Sequence, residues 1–148
     1  MNSGPTSFHG RCHCGNLEVI VETRVSTDQL PVRACSCSFC RSHGARNTSG
    51  PNGSVKITVH DPGQLIRYRF GFKTADFLIC GKCGIYVGAQ MKVGDKAYAT
   101  LNINSFDLVE SFKQEPVKFS YDGETEAQRR ARRSANWTPV VAFTEGIF

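Results

Sequence analysis

Asp76-Phe77-Leu78-Ile79-Cys80-Gly81-Lys82-Cys83-Gly84-Ile85-Tyr86-Val87-Gly88-Ala89-Gln90-Met91 reads as two strands joined by a metal-binding turn. Residues 76–80 and 85–91 are strand candidates. Between them the Cys80–Cys83 pair has the two-residue gap of a zinc knuckle. Gly81 and Gly84 permit the tight backbone turn that brings two thiolates onto one ion at about 2.3 Å.

The flanking sequence extends the β reading in both directions. Residues 17–24 and 55–60 are rich in β-branched side chains, and 65–70 alternates with period two from Ile66 onward, as a half-buried strand should. Residues 96–103 and 117–121 complete the set. Turn residues separate many of these runs: Ser49-Gly50-Pro51-Asn52-Gly53, Asp61-Pro62-Gly63 and Val93-Gly94-Asp95. The expectation is a mainly β fold, a sandwich or folded sheet, with a few short helices. One helix is expected after Cys40, from Arg41 to Ala45. A longer one spans Glu124 to Asn136, acidic in its first turn and arginine-rich in its last, with Trp137 and Pro139 closing it. No internal repeat or linker divides the chain, so residues 1–148 are read as a single domain.

Composition narrows the class. The 148 residues are 40% apolar and 21% charged, which is globular rather than disordered. No run approaches the roughly 18 apolar residues of a membrane span. The start, through Phe8-His9-Gly10, lacks the basic flank and apolar run of a signal peptide, so a cytoplasmic setting is expected. In a reducing compartment clustered cysteines point to metal or catalysis rather than disulfides, and seven cysteines cannot pair off completely.

Those seven fall into three groups: Cys12-His13-Cys14, then Cys35-Ser36-Cys37-Ser38-Phe39-Cys40, then Cys80 and Cys83. On an extended strand the sulfurs of Cys12 and Cys14 would share one face. A structural zinc site takes four ligands, and a catalytic one takes three with an open fourth position. Two pairs would make a closed site of Cys12, Cys14, Cys80 and Cys83, leaving Cys35, Cys37 and Cys40 as an open one. Cys37 and Cys40 could equally join Cys80 and Cys83 in a zinc ribbon, with Cys12, Cys14 and Cys35 as bystanders. Spacing does not choose.

Gly10-Arg11-Cys12-His13-Cys14-Gly15, the triplet Cys35, Cys37 and Cys40 followed by Arg41, and Cys80 and Cys83 followed by Gly84 resemble, in the same order, the glutathione-dependent formaldehyde-activating family. That family includes the domain of centromere protein V. The resemblance runs from about Phe8 to Phe106 and takes in all seven cysteines. Ile79 stands where the family often has phenylalanine, and the C-terminal third lies outside the motif.

The resemblance implies a zinc-supported folded β-sheet. It implies a structural zinc on Cys12, Cys14, Cys80 and Cys83, and a catalytic zinc on Cys35, Cys37 and Cys40. The implied reaction joins formaldehyde to glutathione as S-(hydroxymethyl)glutathione, classed as carbon–sulfur lyase chemistry from the reverse direction. Glutathione's sulfur would take the fourth zinc position and attack the carbonyl carbon. Its two carboxylates call for cationic donors; Arg41 and Arg46 are the favoured candidates, with Lys82 behind them.

His43 follows Cys40 by three residues and would close the second site if it ligated. His13 is expected to point away from the ligand face. Tyr68, Phe70, Phe72, Phe77 and Tyr86 read as core, and Tyr98 and Asn102 as packing or backbone support.

The formal charge is +5, with Arg129, Arg130, Arg132 and Arg133 clustered. Arg129 and Arg133 share a helix face, while Arg130 and Arg132 are expected to point elsewhere, as a solvated helix end. The competing function is a zinc-supported binding module contacting nucleic acid through this helix. No recognised nucleic-acid motif accompanies it, and Glu124 and Glu126 dilute the patch.

Overall fold

The structure is a computed structural model and describes residues 6–146. Residues 1–5, which carry part of the reading of the chain's start, and residues 147–148 lie outside it. The described strands are β1 (Thr6–Arg11), β2 (Leu17–Thr23), β3 (Arg33–Cys35), β4 (Asn47–Thr48), β5 (Ser54–Val59), β6 (Leu65–Tyr68), β7 (Asp76–Cys80), β8 (Tyr86–Val93), β9 (Lys96–Asn102), β10 (Val117–Phe119) and β11 (Thr138–Glu145). Two α-helices accompany them, α1 (Ser38–His43) and α2 (Glu126–Asn136). The protein is mainly β, as its sequence leads one to expect.

β2 shows why these segments pair. Leu17, Val19, Val21 and Thr23 are buried while Ile20 and Glu22 are exposed, the alternation of a strand with one covered face. It lies antiparallel between β1 and β5. β6, β7, β8 and β9 run as an antiparallel meander. β11 joins the two parts: Thr138 and Pro139 pair with β9, and after a register shift between Val140 and Ala142 the strand runs parallel to β5. β4 takes the rest of that edge of β9, and β3 and β10 extend the sheet beyond it.

Strands β7, β8 and β9 of the meander are buried on both faces over most of their length, which is why they read as apolar runs. Leu78, Cys80, Val87, Ala99 and Leu101 pack into the larger core with Phe8, Val19 and Ile57. Phe77, Tyr86, Ala89 and Met91 pack on the other side with Cys40, Ala45 and Trp137. Truncating a fully buried side chain such as Leu78 costs about 2–5 kcal/mol.

Several elements differ from expectation. α1 starts at Ser38 and so contains Cys40 rather than following it. The Cys37 side chain caps it by accepting the Cys40 N–H, a role that sequence rules assign to Ser, Thr, Asp or Asn. α2 starts at Glu126, because Thr125 and Gln128 form a capping box that leaves Glu124 outside the helix. β6 is a sheet edge that stops at Tyr68, and Ile66, Tyr68 and Phe72 are exposed rather than core. Phe77 and Tyr86 are buried as expected. β1, β3, β4 and β11 were not anticipated. The short ones carry too few residues for a period, and β11 contains Pro139, which breaks a strand pattern locally yet is tolerated at a crossover.

Candidate metal centres and cavity

The first cysteine group is built from two turns of the same design. Cys12 through Gly15 turn between β1 and β2, with Gly15 N–H donating to Cys12 O at 3.1 Å. Cys80 through Gly84 turn between β7 and β8, with Gly84 N–H donating to Cys80 O at 2.8 Å. Gly15 and Gly84 sit at φ 86° and 83°, the left-handed region that side chains disfavour. Cys12 and Cys14 are thus brought together by a turn, not by the alternation of a strand.

The four sulfurs lie within 4.8 Å of one another. Cys12 and Cys14 Sγ are 3.8 Å apart, and Cys14 and Cys80 Sγ 3.6 Å. Sulfurs at about 2.3 Å from one tetrahedral ion stand about 3.8 Å apart, so the group fits a metal of that kind. Backbone donors point at the sulfurs: Leu17 N–H to Cys12 at 3.2 Å, and Lys82 and Cys83 N–H to Cys80 at 3.4 Å each. Burial pushes the Cys12 thiol up to about 12. Cys83, though burial opposes it, is lowered to about 6 by backbone donors at Cys14 and Ile85. A buried thiol beside a ready thiolate is an arrangement that a cation would complete.

The second group sits on the opposite face of the meander. Cys35 ends β3, Cys37 caps α1 and Cys40 lies within it, with all three sulfurs within 4.8 Å. Hydrogen bonds from the Cys35 and Cys40 thiols, then backbone donors, lower Cys37, whereas hydrogen bonding with Cys35 and Cys37, then burial, raises Cys40. Asn47 Nδ2 lies 3.8 Å from Cys40 Sγ, and Tyr86 donates its hydroxyl to Asn47 Oδ1 at 3.1 Å. Asn102 holds this chain from behind through Tyr86 O at 2.9 Å, the support expected of it. His43 packs against Phe39 with the rings tilted at 41° and centroids 4.5 Å apart, and no histidine joins the three sulfurs among the described residues. His13 is exposed.

A cavity of about 460 Å³ opens over this group. Its lining includes five aromatic rings, Phe70, Phe77, Phe119, Tyr121 and Trp137. Phe119 stands in register with Cys35 across the β3–β10 pair and accepts Ser36 N–H on its carbonyl at 2.8 Å. It is also cationic, with Arg33, Arg129, Arg132 and Arg133.

Arg41 and Arg46, the arginines that the sequence favours, are not among the lining residues. Arg41 is exposed, Arg46 donates Nε to Asn104 Oδ1 at 2.8 Å, and Lys82 lies exposed beside the other cluster. The expectation for α2 also changes. Arg132 shares the cavity face with Arg129 and Arg133, at the i, i+3, i+4 positions of one helix stripe, and Arg130 alone turns outward to Glu126 at 3.2 Å. That spacing was the signal available in the sequence. Arg132 makes a two-pronged contact with Glu124 at 2.8 and 3.1 Å and stacks 3.5 Å over Tyr121. Arg129 joins Glu124 at 3.1 Å. Burial lowers Arg133 to about 10.

Residues 7–122 match the family described as glutathione-dependent formaldehyde-activating enzyme. The chain belongs to that family. The match takes in all seven cysteines, reaches past Phe106 to the end of the β10 segment, and stops short of α2. A crystal structure of a Rhodobacter sphaeroides protein is similar at 29% identity and a TM-score of 0.52, covering 74% of this chain and 97% of that one. No curated protein sequence matches significantly. As a formaldehyde-activating family member the chain has the expected broad activity class, an enzyme with a small thiol substrate. No described helix is long and apolar enough to cross a membrane.

Proposed function

We propose that the protein forms and cleaves S-(hydroxymethyl)glutathione or a related glutathione adduct, as a zinc-dependent carbon–sulfur lyase working in the cytoplasm. Cys12, Cys14, Cys80 and Cys83 would hold a structural zinc, and Cys35, Cys37 and Cys40 a catalytic one. The observation that carries this reading is the contrast between a group of four sulfurs that close on one another and a group of three that lines a cavity. A bound zinc supplies a Lewis acid that keeps an incoming thiol deprotonated at neutral pH.

The chain's own residues do the rest. Asn47 orients Cys40, and Tyr86 orients Asn47, so the three sulfurs keep one geometry as substrate comes and goes. The aromatic wall excludes water from the carbonyl carbon. In the forward direction the S–H bond breaks and a C–S bond forms. The carbonyl π pair moves to oxygen, which takes up a proton. The reverse direction returns thiol and aldehyde.

The test measures adduct formation from glutathione and formaldehyde against the uncatalysed reaction, with elemental analysis of the same preparation. Two zincs per chain and a rate abolished by Cys37→Ser are expected. Equal rates for wild type and variant would remove the catalytic role. The nucleic-acid alternative gains nothing from the fold, since three of its four arginines line the cavity.

A further inference from the structure

Arg33 and Arg133 line the cavity beside the three cysteines, and neither has a carboxylate partner among the described residues. Each spends one donor on a neutral hydroxyl: Arg33 Nη1 on Ser49 Oγ at 2.9 Å, and Arg133 Nη1 on Thr74 Oγ1 at 2.7 Å. Arg133 is 8% exposed, and its buried Nε has no partner. Trp137 covers one face of its guanidinium, with Cζ 4.7 Å from the ring. Arg129 and Arg132 differ, since both pair with Glu124 and share its one charge. Asp122 lines the same cavity and pairs with neither Arg33 nor Arg133. A guanidinium withdrawn from water without a counter-charge is costly, and its five donors in a planar fork match a carboxylate.

We infer that Arg33 and Arg133 form a carboxylate subsite that restricts the enzyme to acid-bearing adducts. This rests on the thiol-adduct reading of the cavity and adds to it the two residues that select the substrate. Arg133 lies on α2, beyond the stretch that matches the family, and Arg33 lies within it, so the C-terminal segment supplies one half of the subsite. A competing role for the same charges is to offset the thiolates of Cys35, Cys37 and Cys40, and the test separates the two.

The experiment uses the full-length, zinc-loaded protein and calorimetric titration with S-methylglutathione, whose sulfur is capped and whose carboxylates are free. Its dimethyl ester, with both carboxylates capped and the ammonium kept, serves as the matched probe. Wild type is expected to bind the acid at least about 10-fold more tightly, and Arg133→Gln to remove most of that preference, a loss of about 10- to 100-fold for the acid alone. Arg133→Lys should restore part of it, since charge without the fork remains. Arg33→Gln carries the same test should Arg133→Gln lose its thermal transition. Equal binding of acid and ester by wild type, or no binding of the acid, overturns the subsite. So does a preference that survives both glutamine variants, or an Arg133→Gln effect confined to lost zinc. Arginine-dependent binding of S-methylglutathione with no adduct formation would instead remove the formaldehyde reading and leave the subsite standing.

Discussion

The two cysteine groups sit on opposite faces of one four-strand meander and show how packing divides the work of similar ligands. Cys80 points into the larger core, fully buried with Cys12, and its neighbours are Leu17, Val19 and Leu78. Cys40 points to the other face, where Trp137, Tyr86 and Phe77 leave a cavity instead of filling the space. On the first face four sulfurs close on one another and leave no room for a visitor. On the second, three sulfurs and a wall of rings and arginines leave one side open. A metal on the first face would hold the hairpins β1–β2 and β7–β8 together, whereas one on the second would touch only β3 and α1 on the protein side.

This contrast can be broken most directly at Cys80. Cys80→Ser should abolish cooperative unfolding seen by circular dichroism. Structural zinc contributes about 10–16 kcal/mol in small zinc domains, against a typical net stability of about 5–15 kcal/mol. Cys37→Ser should lose one equivalent of zinc and the adduct-forming activity, yet keep its far-ultraviolet spectrum. Its melting temperature should fall by only several degrees, at about 2–4 °C per kcal/mol for a chain of this size. If the two variants unfold alike, the division between the faces is wrong.

Tyr86→Phe probes the support behind the open group. It removes the hydroxyl donated to buried Asn47 and should cost about 1–3 kcal/mol in thermal unfolding. It should also lower activity while leaving the four-cysteine group loaded.

The smallest effect belongs to Glu124, whose carboxyl is held below its ordinary range by Arg132 first and then Arg129. A lowered folded-state pKa means that the stability is present above the unfolded value of 4.5 and is lost as pH falls through the folded one. Glu124→Gln should therefore melt slightly below wild type at about pH 6, by less than about 1 kcal/mol, with the gap closing below pH 4.5. A gap that persists in acid would mean that the charge is not what anchors α2 to the cavity.

Much of the first face was legible before folding. A Cys-x-x-Cys with glycines around it specifies its own turn, and Cys12-His13-Cys14-Gly15 does the same with a different backbone path than the extended one expected. The cavity was less legible. Its arginines come from residues 33 and 129–133, its rings from 70, 77, 119, 121 and 137, and nothing local relates these positions. Arg41 was attractive because it adjoins Cys40 in sequence, but a residue next to a helical ligand points about 100° away from it around the axis.

The amino-acid sequence by itself determined the three cysteine groups, the turn that carries Cys80 and Cys83, and the period-two segments that make the protein mainly β. Each rests on spacings of a few residues, which backbone geometry converts into shape without help. The tertiary structure alone decided that Cys35, Cys37 and Cys40 line a cavity, and that α2 brings its arginines to the same space. Those outcomes depend on where β11 crosses between the two parts of the sheet and on what packs across the meander. They are set by contacts between residues about a hundred positions apart, which local spacing does not encode.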